Sequence, residues 1–174
     1  MQETFPEYEY VEATVVSRAS DGWSGGLNLD IGSASGIRKG NIVVTGNGLC
    51  GVINDVGLNW STVTSIVDVG FSAGAIVVRT GDTGYTSSSV DLRAQGCMKL
   101  TPLASTTMVN RGDTVVTSGL GGKLPKGLVL GTIAKLVSDS DGLSKYAVVV
   151  PAADLQTVRK VYVVTNFVPE EILP

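Results

Sequence analysis

Short runs of alternating apolar and polar residues, each closed by a break rich in glycine or serine, recur from Val11 to Thr165. Leu27–Ile31 alternates position by position, the pattern of a strand with one face buried and one face in water. Asn41–Thr45 and Leu49–Val56 flank Gly46-Asn47-Gly48, and Asn-Gly between two apolar runs is a strong hairpin signal. With Ala13–Arg18, Ser61–Val67 and Ala73–Arg79 these make a first group of strands. The second group is Thr83–Ser87, Gly96–Thr101, Thr114–Ser118, Leu128–Val137, Lys145–Val150 and Lys160–Thr165. Evenly spaced short strands with turn residues between them predict barrels or sandwiches. The only helical turn the pattern predicts lies in Ala152–Val158.

The two groups echo each other. Ile37-Arg-Lys-Gly-Asn-Ile-Val-Val-Thr45 resembles Val109-Asn-Arg-Gly-Asp-Thr-Val-Val-Thr117, with Gly40 aligned on Gly112. Each copy is followed by a strand with an inner glycine, Cys50-Gly-Val-Ile53 and Leu130-Gly-Thr-Ile133. Self-similarity of this kind predicts two related β-modules. The expected organisation is a lead-in over 1–10, a first small β-barrel over 11–80, a second over 81–168 and a tail over 169–174. Each barrel should hold about six strands. The boundary is expected near Thr80–Thr83, where Thr-Gly-Asp-Thr reads as a linker or turn.

Composition supports an all-β fold with a genuine core. Of the 174 residues 43% are apolar, and 22 are glycine, which suits turns between β-branched strands. The net charge of −3, without a dense cluster of Lys and Arg, argues against nucleic-acid binding. No apolar run approaches the roughly 20 residues that span a bilayer as a helix. The polar stretch after Met1 reads as the start of an excised segment. Cys50 and Cys97 form no metal or redox spacing and read as two small buried side chains, a disulfide between them being the weaker alternative.

Catalytic chemistry is thinly represented. Histidine is absent, which removes the commonest general base and the commonest metal ligand, and with them any Ser-His-Asp or Cys-His site. Ser118 with Lys123 or Lys126 is the remaining nucleophile–base pairing, but these residues lie in a loop and read as turn residues. Asp139 and Asp141 occupy a fragment of a calcium loop that lacks the closing Glu, so a β-turn is the better reading. Gly119–Gly122 lacks the Lys-Ser/Thr of a phosphate-binding loop and reads as a bend with positive φ. No metal or cofactor is expected. The large amphipathic side chains are the candidates for partner contact: Trp23 and Trp60, each after a turn-like stretch, and Tyr8 and Tyr10 before the first strand. The favoured reading of the two tryptophans is nevertheless that they cap the ends of the first barrel and pack inward, while the tyrosines either pack on the barrel or face a partner.

Several stretches resemble the extracytoplasmic β-domains of the rod-shape-determining MreC family. They are Ala13–Arg18 through Trp23, Leu27–Ser33, Gly36–Gly40, Val43–Leu49 and Gly51–Ile53 in the first half. In the second half they are Gly112–Gly127, Gly131–Ile133 and Val150–Leu155. The run Gly112–Gly127 (GDTVVTSGLGGKLPKG) is long enough to be specific. The resemblance implies a barrel pair like that of trypsin-like proteases, without their catalytic residues. It also implies a membrane-spanning helix and a coiled coil upstream, so the domain would sit on the outer face of the cytoplasmic membrane. The implied role is a non-catalytic scaffold of cell-wall elongation that maintains cell shape. Its implied partners are itself, MreD, the elongation-specific penicillin-binding transpeptidase and the MreB cytoskeleton. Without the coiled coil the isolated domain is expected to be monomeric or weakly associated. The readings to set against this one are a degenerate or unusual serine hydrolase on a protease-like double barrel, and a carbohydrate-binding module. The latter usually needs several rings on one face, and aromatics are only 6% of the chain.

Overall fold

The computed structural model describes residues 8–18, 26–120, 122–140 and 142–167. Its strands are β1 (Tyr10–Arg18), β2 (Leu27–Leu29), β3 (Ile42–Val44), β4 (Leu49–Val56), β5 (Ser61–Ser65) and β6 (Gly74–Val77). They continue as β7 (Thr83–Ser87), β8 (Met98–Ala104), β9 (Thr114–Thr117), β10 (Val129–Ser138), β11 (Ser144–Pro151) and β12 (Lys160–Val164). Every expected strand is present, and the all-β reading holds.

All strand pairs are antiparallel, and they close two six-stranded barrels. Closure leaves no row of unpaired backbone groups at an edge. Around the first barrel the order is β1, β12, β3, β4, β5, β2; around the second it is β7, β6, β9, β10, β11, β8. The second order is the first with β7–β11 in place of β1–β5 and β6 in place of β12. Each half of the chain therefore supplies five strands to its own barrel and its sixth strand to the other.

This corrects the expected boundary between residues 80 and 81. Gly74–Val77 pairs with β7 and β9, and Lys160–Val164 returns to pair with β1 and β3. Thr80–Thr83 belongs to a tight hairpin turn inside the second barrel, closed by Val77 N–H to Asp82 O at 2.8 Å and Gly81 N–H to Val77 O at 2.8 Å. The chain passes between barrels along residues 66–73 and 152–159 instead. Ala152–Val158 is not helical either; it is a turn held by Val158 N–H to Asp154 O at 2.9 Å. Among the described residues a 3-10 turn spans Ser33–Ser35 and an α-helix spans Val90–Ala94 (α1), begun by Ser89, whose side-chain oxygen accepts from Leu92 N–H. Serine at that position satisfies an N–H that the first helical turn leaves without a partner.

Two apolar clusters form the interior. One fills the first barrel with Ala13, Val15, Leu29, Val43, Cys50, Ile53, Val161 and Val163. The other fills the second barrel with residues such as Ala75, Met98, Leu100, Val115, Leu130 and Val149, and runs on to Ile42, Val44, Leu49 and Val164 of the first. Ile42, Val43 and Val44 are all buried because alternate side chains of β3 enter different clusters. The core of the second barrel is thus continuous with the interface between barrels. The β3–β4 hairpin abuts β10 so closely that a Cβ at Gly48 would lie 2.7 Å from Val129 O.

Candidate partner-binding surfaces

Trp60 stands on a platform built by the β4–β5 connection. Gly57 N–H donates to Trp60 O at 2.8 Å, and the loop of Ser33–Ser35 is tied to it by Ser33 N–H to Gly57 O at 2.9 Å and Ala34 N–H to Leu58 O at 3.0 Å. The indole lies directly over Gly57, where a Cβ would sit 2.0 Å from Nε1. Gly57 is therefore required for this ring position. Leu58 and Trp60 remain 67% and 48% exposed on that platform. A rigid, exposed aromatic–aliphatic pair contributes to binding without a large ordering cost.

The other three aromatic candidates fare differently. Tyr10 lies in β1 opposite Val164, and Tyr8 meets Phe167 edge-on with ring centroids 6.2 Å apart. Both tyrosines are half-buried against the large apolar cluster. Trp23 lies outside the described residues.

Two clefts open between the barrels. The first has a volume of about 350 Å³ and runs between the β1–β2 end, the α1–β8 connection and the segment after β11. The second, of about 390 Å³, is walled by Phe71 and Ala73 of the inter-barrel passage and by the β9–β10 loop. Leu120 and Tyr85 line it while remaining 56% and 53% exposed. Sequence reasoning treated Gly119–Gly122 as a bend, and Gly119 and Gly122 do have φ of 81° and 71°. It missed that the bend sets an apolar Leu120 on the surface, although a leucine among four turn residues was the available signal.

The remaining candidate groups are absorbed by local structure. Ser118 Oγ accepts from Leu120 N–H at 3.2 Å within its own turn. Asp139 holds the β10–β11 turn: its carboxylate accepts from Ser144 Oγ at 2.9 Å and its backbone oxygen from Gly142 N–H at 3.0 Å. Asp141 lies outside the described residues. Cys50 and Cys97 are both buried and both free, and burial pushes the Cys50 thiol up to about 12. A thiol held protonated in this way is a poor nucleophile. Among the described residues no group of His, Cys, Asp and Glu is arranged to hold a metal ion, and no helix is long and apolar enough to cross a membrane.

Residues 15–165 match the family model described as "Rod shape-determining protein MreC, barrel core". The cell shape-determining protein MreC of Bacillus subtilis is 33% identical over 171 residues, which are 94% of this chain and 59% of that protein. The chain thus spans less than two thirds of that relative's length. MreC from Pseudomonas aeruginosa, 23% identical, superposes with a TM-score of 0.84 over 90% of this chain and 99% of the other. A similar chain, 19% identical with a TM-score of 0.64, covering 91% of this chain and 99% of its own, occurs in a complex between penicillin-binding protein PBP2 and MreC from Helicobacter pylori.

Proposed function

The chain belongs to the rod shape-determining MreC family, whose barrel core it matches over residues 15–165, and from that premise we propose that it is the partner-binding part of a non-catalytic scaffold. In the whole protein an N-terminal anchor and coiled coil hold this barrel pair at the outer face of the cytoplasmic membrane. There it self-associates and positions peptidoglycan synthases, above all the elongation-specific penicillin-binding transpeptidase, together with MreD and the MreB cytoskeleton. The observation that carries the reading is that a relative with the same fold is one member of a complex with a penicillin-binding protein. The engagement of Ser118 by its own turn and the inert Cys50 also favour binding over catalysis.

Trp60 and its neighbour Leu58 are the contact residues we assign to that role, because Trp60 alone of the aromatic candidates described combines exposure with a fixed platform, and Leu58 stands exposed on the same platform. The test is a titration of this chain with the ectodomain of the elongation-specific penicillin-binding transpeptidase from the same organism. Saturable binding is expected, and the double substitution L58S/W60A should weaken it at least about tenfold, the cost of removing one anchor. Absence of binding, or a double variant that binds as the parent does, contradicts the assignment.

A further inference from the structure

The first inter-barrel cleft carries chemistry that the scaffold reading does not use. Its walls are apolar, with Leu27 from β2, Val67 from the passage after β5, and Val150 from β11. Equivalent segments of the two barrels face each other across it. Ser65 at the end of β5 and Pro151 at the end of β11 occupy matching positions, paired with Gly51 and Gly131 respectively. The end of β1 brings Arg18, and the segment between β7 and β8 brings Arg93 and Gln95.

Three features give the cleft a preference. It gathers two guanidinium groups in a chain whose net charge is −3. Arg18 is held in place by Nε donating to Leu155 O at 3.1 Å and by Nη2 donating to Val158 O, bonds that use only part of its N–H set. Asp154 offsets part of the Arg18 charge, while its own hydrogen bonds are made with Thr157 and with Gln156 N–H. Ser65 lines the cleft, is fully buried, and its Oγ has no hydrogen-bond partner among the described residues. A buried hydroxyl without a partner is disfavoured and is relieved by a polar group entering beside it.

We propose that this cleft is a docking groove for an extended peptide segment that carries a carboxylate beside small aliphatic side chains. Arg18 and Arg93 receive the carboxylate, Ser65 and Gln95 receive backbone groups, and the walls receive the aliphatic side chains. Charge complementarity selects an acidic peptide, and the volume of about 350 Å³ fits a few residues, not a folded element. The assignment stands on the chemistry of the cleft and holds whichever protein supplies the segment.

The experiment titrates this chain with a fluorescein-labelled pentapeptide, Ala-Val-Glu-Val-Ala, and with its Gln-centred counterpart. The acidic peptide should saturate, bind at least about tenfold tighter than the neutral one, and weaken as salt screens the charges. Arg93→Gln should cost about fivefold. Gln156→Trp, which fills the mouth from an exposed position, should abolish the signal. Arg38→Gln, an exposed arginine away from the cleft, should leave it unchanged. Circular dichroism of each variant confirms that it is folded before it is compared. Equal binding of the neutral peptide, no loss in both cleft variants, or no saturation by about 5 mM overturns the proposal. Sedimentation of the unliganded chain adds one outcome: a dimer that Gln156→Trp dissolves would assign the cleft to a second copy instead.

Discussion

Asn41 in the first barrel and Asp113 in the second occupy the same turn and make the same local bonds. Arg38 N–H reaches Asn41 Oδ1 at 2.8 Å, and Asn110 N–H reaches Asp113 Oδ2 at 2.7 Å. Gly40 N–H donates to Ile53 O and Gly112 N–H to Ile133 O, both at 2.8 Å. Behind these turns the strand glycines match as well. A Cβ at Gly51 would lie 2.0 Å from Thr64 O, and one at Gly131 would lie 2.0 Å from Val150 O. The difference is in what the second barrel adds. Asp113 takes Arg79 Nε at 2.7 Å and Nη2 at 2.9 Å, and Nη2 also donates to Met108 O at 2.7 Å. The threonines that close the two motifs differ in the same direction. Thr45 Oγ1 serves the short Gly46–Gly48 hairpin, meeting Gly48 O at 3.4 Å. Thr117 Oγ1 anchors the longer β9–β10 loop, donating to Pro125 O at 2.6 Å and accepting from Leu128 N–H at 2.9 Å. The shared bonds are the architecture of the motif. The added ones hold the longer loops of the second barrel, including the one that walls the second cleft.

The largest way to break the parallel is to withhold an exchanged strand. A chain ending before β12 loses Val161, Val163 and Val164 from the interior and the partners of both β1 and β3. Its first barrel should lose cooperative unfolding while β6–β11 still supply all six strands of the second, and the contiguous stretch 1–80, which contains no complete barrel, should lose cooperative unfolding altogether. Near-ultraviolet circular dichroism and amide dispersion would show this. A well-dispersed spectrum from 1–80 would mean that β6 can serve in place of β12.

Gly51→Ala and Gly131→Ala test the match at the strand glycines. Each forces a methyl into a backbone carbonyl, so each should cost about 3 kcal/mol, the upper end for overpacking. Urea midpoints of the two variants should be similar, and a wide gap would show that one barrel yields more easily than the other.

Thr117→Val and Thr45→Val sharpen the contrast between the loops. The first leaves Pro125 O and Leu128 N–H without partners and should cost about 2 kcal/mol. The second removes longer, weaker bonds and should cost about half that or less. Equal losses would mean that the loop length is irrelevant to the role of this hydroxyl.

The smallest effect is electrostatic and confined to the second barrel. The Arg79 guanidinium, aided by Asn110 N–H, holds the Asp113 carboxyl at about 2. A carboxyl depressed in the fold contributes stability that is complete above its ordinary value near 3.8 and is lost as pH falls towards 2. The parent should therefore lose its advantage over Asp113→Asn between about pH 4 and pH 2, while Asn41→Asp should gain no comparable dependence, since no arginine faces it as Arg79 faces Asp113. Urea midpoints at neutral and low pH read the difference.

Much of this was legible along the chain because it is local. Alternation located the strands, Asn47-Gly48 located the β3–β4 hairpin, and the paired Gly40 and Gly112 motifs announced two related modules. The helix at Val90–Ala94 was also encoded, by Ser89 as its cap, but five residues leave too little periodicity to read. Ala152–Val158 has helix-forming residues, yet Asp154 closes a turn there and the chain must cross between barrels. Of the contact candidates, Trp60 was visible as a tryptophan after a turn; that its ring rests on Gly57 was not.

The sequence by itself determined the strands, their turns, the duplicated motif and the poverty of catalytic groups, since each depends on residues a few positions apart. Only the tertiary structure decided that β6 and β12 change places, that β3 faces two cores, and that Arg18, Ser65 and Arg93 meet in one cleft. Those arrangements come from closing two barrels against each other. Pairing between strands far apart in the chain is fixed by which closure buries the most apolar surface with every backbone group bonded, and no local pattern records that choice.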